Sequence, residues 1–255
     1  QVLRHDGAMV HSTRCHVGDP AKGGTLLYLH GGAFMIGNLR GYRHLVACLG
    51  QAASQNATFL HYGLAPEHPF PTALDQAALA YQALAAAPES GPIPLVGASA
   101  GGNLVFALLH RICSHDLPRP AAVVALSPLV DLRAPAPSFT TNARSDHLVP
   151  LGWAKRGKVA YLAGRDPSDP QISPVLGQFA GAPPCLIHVD ETEVLYDDAC
   201  AIAGVLEAQG VGVTLTITQG LTHVWHLNVG RAPEADASVA EIGAFIKRVT
   251  LQKSP

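Results

Sequence analysis

Charge is scarce in this sequence: only 14% of the residues are Asp, Glu, Lys or Arg, and the formal net charge is −2. No long run of Lys or Arg occurs, which argues against nucleic acid or an anionic membrane surface as the partner. Long apolar runs are absent too. None reaches the roughly 18 residues that a membrane-spanning helix needs, so no integral-membrane segment is expected. The first residues, Gln1-Val2-Leu3-Arg4-His5-Asp6, have no secretory-signal layout. They also lack an initiator Met, and a fragment or processed product with targeting sequence upstream is one expectation. The five cysteines (Cys15, Cys48, Cys113, Cys185 and Cys200) are odd in number and contain no Cys-x-x-Cys pair. A disulfide framework and a zinc site are therefore not expected, and a reducing cytoplasm is. There is no internal repeat.

What is present is a chain of 255 residues, 48% of them hydrophobic, enough for a single globular domain over 1–255. Short apolar runs at 25–29, 57–62, 93–96, 121–126, 185–189 and 213–218 read as strands buried on both faces. Helical patterns at 42–53, 72–86, 100–115, 195–209 and 233–249 alternate with them. This rhythm predicts an α/β fold, a mostly parallel central sheet with helices on both faces. The segment 133–184, rich in Pro, Ser and Asp with one helical patch at 151–162, breaks the rhythm. It is expected to leave the sheet and line a pocket.

Gly97-Ala98-Ser99-Ala100-Gly101 matches Gly-x-Ser-x-Gly, and it stands between an apolar run and a helical pattern, where a nucleophile elbow belongs. The sharp turn requires small residues on either side of Ser99 and lifts its hydroxyl to a helix N-terminus. His30-Gly31-Gly32-Ala33-Phe34 follows the run 25–29 and suits an oxyanion loop. The N–H groups of Gly32, Ala33 and Ala100 are the candidate donors, with Gly31 supporting the turn or donating as well. Ala33 keeps this role if its φ is negative. Of thirteen histidines, His223 follows the run 213–218 and is the candidate base, with His226 the rival. The acid belongs after 185–189, where Asp190 and Glu193 are equal candidates. A metal pair of His223 and His226 lacks a third ligand.

These motifs, with Tyr62-Gly63-Leu64-Ala65-Pro66-Glu67, Leu126-Ser127-Pro128-Leu129-Val130-Asp131, Ser173-Pro174 and Glu193-Val194-Leu195-Tyr196-Asp197, give the chain its likeness. It resembles the hormone-sensitive-lipase-like esterases, bacterial family IV of the α/β-hydrolase fold, from about residue 26 to 246. The resemblance implies a serine carboxylesterase that cleaves short-chain esters of small molecules without metal or cofactor. It selects Glu193 as the triad acid over Asp190 and Asp197, and it allows a homodimer, as some members form. Three departures stand out. Ala98 replaces the family's usual Asp or Thr, and Gly63 replaces an Arg whose ion pair is then missing. Little chain precedes the first strands around 8–17, so a reduced cap is expected. Phe34, Met35, His147, Trp153, Leu195 and Val224 are the candidate pocket residues, with core packing as the other use of each. Lactone or amide hydrolysis by the same triad, or a non-catalytic ligand-binding relative, are the competing readings.

Overall fold

The computed structural model describes residues 1–17, 24–87, 90–115 and 117–251. Among these, eight strands form one sheet: β1 (Val2–His5), β2 (Ala8–Cys15), β3 (Thr25–Leu29), β4 (Asn56–Leu60), β5 (Leu95–Ala98), β6 (Val123–Leu126), β7 (Cys185–Asp190) and β8 (Val213–Thr218). Their spatial order is β1-β2-β4-β3-β5-β6-β7-β8. The first two strands pair antiparallel, and all strands from β4 to β8 run parallel. Seven helices accompany them: α1 (Leu39–Ala53), α2 (Thr72–Ala85), α3 (Ala100–Ser114), the short α4 (Ser138–Thr141), α5 (Leu151–Leu162), α6 (Tyr196–Ala208) and α7 (Pro233–Leu251).

The side-chain alternation of β3 builds two cores. Leu26 and Tyr28 face Leu45 and Leu49 of α1 and Ile242 and Ile246 of α7. Leu27 and Leu29 face the other way, into a core with Leu74 of α2, Leu104 and Phe106 of α3 and Ile202 of α6. Every residue of β3, β4, β5, β6 and β7 is buried. Helices on both faces exclude water from these strands, which is why their sequences are nearly continuous apolar runs.

Several boundaries differ from the sequence expectation for local reasons. The first helix starts at Leu39 rather than 42, because the Asn38 side chain accepts the Gly41 N–H and caps it. β5 lies at Leu95–Ala98 rather than 93–96, since Pro94 has no N–H to give to the ladder. β8 is a correction. It was expected to be buried on both faces, but it is the sheet's outer edge, paired only with β7 and half exposed. Its sequence Val-Thr-Leu-Thr-Ile-Thr alternates as an edge strand should.

The parallel strands all deliver their C-terminal ends to one side of the sheet. There the chain leaves β3 for His30, β5 for Ser99, β6 for Ser127, β7 for Glu193 and β8 for His223. Open α/β sheets hold their ligands at this side. Between β6 and β7 the chain makes its long excursion, and α5 packs over the loop after β3. Tyr161 stacks on Phe34 with ring centres 3.7 Å apart. Gly157 lies so close that a Cβ there would come within 2.6 Å of the Ala33 carbonyl oxygen.

Candidate active site

Ser99 sits at φ +54°, ψ −117° between β5 and α3. That is strained backbone for a residue with a Cβ. Its N–H donates to the Leu126 carbonyl at 2.8 Å, and its own carbonyl accepts from Asn103 and Leu129. A Cβ on Gly97 would overlap the Gly101 carbonyl, and one on Gly101 would overlap the Leu29 carbonyl. Both clashes are with backbone, so no side-chain rearrangement relieves them.

The loop after β3 turns through three consecutive positive φ values, Gly32 at +125°, Ala33 at +52° and Phe34 at +62°. The condition set for Ala33, a negative φ, is not met; the left-handed conformation explains why glycine suits this position, and the candidacy of Ala33 as a donor rests instead on its N–H being left without a protein acceptor among the described residues. Among the described residues, no protein acceptor takes the N–H of Gly32, Ala33 or Ala100. The Gly31 N–H instead faces the Tyr42 hydroxyl, countering the upward push of burial on that phenol. His30 braces the loop from beneath. Its Nδ1 lies 2.8 Å from the Gly31 carbonyl, and its ring is stacked between Tyr62 and Phe59. Burial lowers its pKa to about 4, which keeps it neutral.

His223 Nδ1 donates to Glu193 Oε2 at 2.6 Å. The carboxylate is buried, and its Oε1 accepts the Ser127 hydroxyl at 2.8 Å and the Asp190 N–H at 2.9 Å. The other acids lie elsewhere. Asp190 accepts from Thr192, Thr218 and the Leu221 N–H, tying the loop after β7 to the loop that carries His223. Asp197 accepts the Ser138 N–H at 2.7 Å and holds α4. Asp198 accepts from the backbone of Val130 and Asp131, and burial pushes its carboxyl up to about 7. His226 is fully buried, stacked on Trp225 and 3.0 Å from His188 Nδ1.

Ser127 lies where the chain leaves β6. Its hydroxyl donates to Glu193 and accepts the Val224 N–H at 3.2 Å, so one side chain joins the acid to the histidine loop. Ser127→Ala would leave one buried carboxylate oxygen short of a donor and one N–H without an acceptor. We expect it to destabilise the fold by about 1–3 kcal/mol and to lower kcat by roughly tenfold. Denaturant titration and steady-state kinetics of the purified variant check both, and a kcat equal to wild type would remove Ser127 from this role.

Ser99 and His223 line one cavity of about 220 Å³, together with Phe34, Trp153, Leu195 and Val224. Two expected pocket residues are corrections. Met35 faces a neighbouring groove with Pro66 and Val159, because the tight turn at Ala33 and Phe34 rotates successive side chains to different sides. His147 is exposed, and its neighbours Leu148 and Val149 line the cavity instead. The sequence reading also missed Tyr42, Leu129, Phe139 and Lys158. Asp146, Glu193 and His223 bring one ligand atom each within 4.8 Å of one another. Those carboxylates accept backbone, hydroxyl and imidazole donors.

A family model described as alpha/beta hydrolase fold matches residues 26–227. The chain belongs to the hormone-sensitive-lipase-like esterases. It is 39% identical to an acetyl-hydrolase of Streptomyces hygroscopicus over 234 residues, 91% of this chain and 78% of the relative. A crystal structure of EstE5 superposes with a TM-score of 0.91 at 33% identity, covering 98% of this chain and 84% of that one. A crystal structure of an esterase from the bacterial hormone-sensitive lipase family gives 0.88 at 35% identity, covering 94% and 85%.

The departures of this esterase from its family now have local explanations. Ala98 is buried in the apolar core beneath the elbow, beside Leu126 and Val224, where a carboxylate would be desolvated. At Gly63 a Cβ would come within 2.8 Å of the His68 Cβ, and the Gly63 N–H donates to Gln76 Oε1 at 2.6 Å. Ile36, Leu148 and Leu227 rim the cavity and are exposed.

Three buried imidazoles make the esterase acid-sensitive. Burial lowers His30 and His188 to about 4 and His226 well below its ordinary value of 6.5. The unfolded chain takes up protons on these groups as pH falls below 6.5 while the folded chain does not, so stability is lost between about pH 6.5 and 4. Asp198 acts oppositely over this window, one group against three. We expect a net loss of stability between pH 7.5 and pH 5. Urea titrations at the two pH values test this, and equal or greater stability at pH 5 would refute it.

Proposed function

We propose that the protein is a serine carboxylesterase for short-chain esters, with Ser99 as nucleophile, His223 as general base and Glu193 as the acid that orients it. The observation that carries this reading is the 2.6 Å Glu193–His223 bond at a cavity shared with the strained Ser99. With Nδ1–H given to Glu193, the Nε2 of His223 is the basic nitrogen. It takes the Ser99 proton as Oγ attacks the ester carbonyl. The N–H groups of Gly32, Ala33 and Ala100 receive the oxyanion, an effect worth roughly 3–4 kcal/mol per donor. His223 then protonates the leaving alcohol, and water attacks the acyl-enzyme with the same base to release the acid and regenerate Ser99.

The size of the cavity, about 220 Å³, supports small acyl groups, since pockets for drug-sized ligands run from roughly 300 to 1,000 Å³. The name of the acetyl-hydrolase relative agrees with that. A reducing cytoplasm is the location proposed, from five scattered cysteines with no Cys-x-x-Cys pair. The test is a series of p-nitrophenyl esters of increasing acyl length, run with wild type and Ser99→Ala. Serine-dependent hydrolysis whose kcat/KM peaks at acetate to butyrate and falls at least tenfold by decanoate is the expected result. A peak at the long chains would contradict the short-chain assignment.

A further inference from the structure

The excursion between β6 and β7 is strapped to the loop that carries Glu193. The Asn142 side-chain amide donates to the Glu191 and Glu193 carbonyls at 2.9 and 2.8 Å. The Ser145 hydroxyl donates to the Thr192 carbonyl at 2.9 Å. Asp146 closes the strap. Its Oδ2 accepts the Val194 N–H, and its Oδ1 accepts the N–H groups of Leu148 and Val149, all at 3.0 Å. The last two bonds form a tight turn that sends Leu148 and Val149 into the cavity wall. One buried carboxylate therefore grips the residue following Glu193 with one oxygen and the substrate wall with the other.

The same carboxylate is close to His223. An oxygen of Asp146, one of Glu193 and a ring nitrogen of His223 lie within 4.8 Å of one another. A turn of this shape could be held by Asn or Ser as well. Of the two ionisable groups within reach, Glu193 carries the same charge as Asp146, and His223 is the one whose cationic form that charge attracts. The geometry points to Asp146 as a positioning residue of the esterase reaction. It fixes Glu193 and the pocket wall in one frame and adds a second negative charge that stabilises the His223 imidazolium. This inference rests on the serine-esterase reading above.

The charges around His223 are few. Glu193 lies on the loop after β7, Asp190 is the last residue of that strand, and Asp146 is on the strap. His226, on its own loop, is close enough to feel its charge, and Lys158 of α5 lines the same cavity. Removing the Asp146 charge should make the imidazolium harder to form. The acidic limb of the kcat/KM–pH profile should move to lower pH, and kcat at neutral pH should fall about tenfold.

Asp146→Asn and Asp146→Ser both remove the charge while offering an oxygen to the Leu148 and Val149 N–H groups, so one folded variant is enough. Leu148→Ala is the control that shortens the wall and keeps the charge. It should raise KM for butyrate esters and leave the acidic limb in place. Wild type and Ser99→Ala, run in the same assay, separate the two claims: activity that survives in Ser99→Ala overturns the serine reading. With that reading intact, a folded neutral Asp146 variant whose kcat stays within twofold and whose acidic limb does not move would overturn the role given to Asp146.

Discussion

Replacing His223 by Ala is expected to lower kcat on p-nitrophenyl acetate by about 10⁵- to 10⁶-fold, in line with the loss of the base in other serine hydrolases. The reason is geometric. His223 is the imidazole that both faces the Ser99 cavity and is bonded to a buried carboxylate. His226, three residues on, cannot stand in for it. Its Nε2 is taken by His188, its ring is stacked on Trp225, and its burial opposes the charge that a general base must carry. The variant should still fold. Deletion leaves one Glu193 oxygen without its donor, at about 1–3 kcal/mol, within the stability of an ordinary domain. Circular dichroism and stopped-time assays at high enzyme concentration check the two halves of this expectation. A loss below about a hundredfold in a folded variant would mean that another group serves as base.

Glu193→Gln should cost about 10⁴-fold in kcat, and the sign follows from counting donors. Oε1 of Glu193 receives two, the Ser127 hydroxyl and the Asp190 N–H, whereas Oε2 receives one, from His223. A Gln side chain will keep its carbonyl oxygen where two donors converge and turn its NH₂ toward His223. The imidazole must then accept at Nδ1 and carry its proton on Nε2, so it cannot take the proton of Ser99. Glu193→Asp keeps the charge at a shorter reach and should recover part of the loss. Asp190→Asn should instead act mainly on stability, because Asp190 bonds Thr192, Thr218 and Leu221 rather than the imidazole. If Asp190→Asn abolished turnover and Glu193→Gln did not, the acid would have been misassigned. Steady-state kinetics on both variants decide it.

The parts of this site that were legible in the sequence are those fixed by local backbone geometry. Gly97 and Gly101 flank Ser99 because any Cβ there meets a carbonyl, so the elbow leaves a signature in five consecutive residues. The buried strands were legible because helices on both faces force continuous apolar runs. Spacing alone left Asp190 and Glu193 equal, and the family's sequence pattern favoured Glu193, the acid that the structure places against His223. What remained hidden depends on contacts between distant segments. Ser127 and Glu193 are 66 positions apart, and Asp146 and Val194 are 48 apart; no periodicity records such pairs. Met35 and His147 were misplaced because the direction of a side chain in a tight turn depends on φ values that composition does not reveal. β8 was misread because an edge strand and a buried strand share β-branched residues, and its three threonines carried the distinction.

The account stands on Ser99 as the residue that becomes acylated. Treating the protein with phenylmethanesulfonyl fluoride and following activity and intact mass together addresses that directly. One sulfonyl group per chain, mapped to Ser99 and incorporated in step with loss of esterase activity, is the predicted result, with no labelling of Ser99→Ala. Loss of activity with the label on another residue, or full activity after stoichiometric labelling of Ser99, would contradict it.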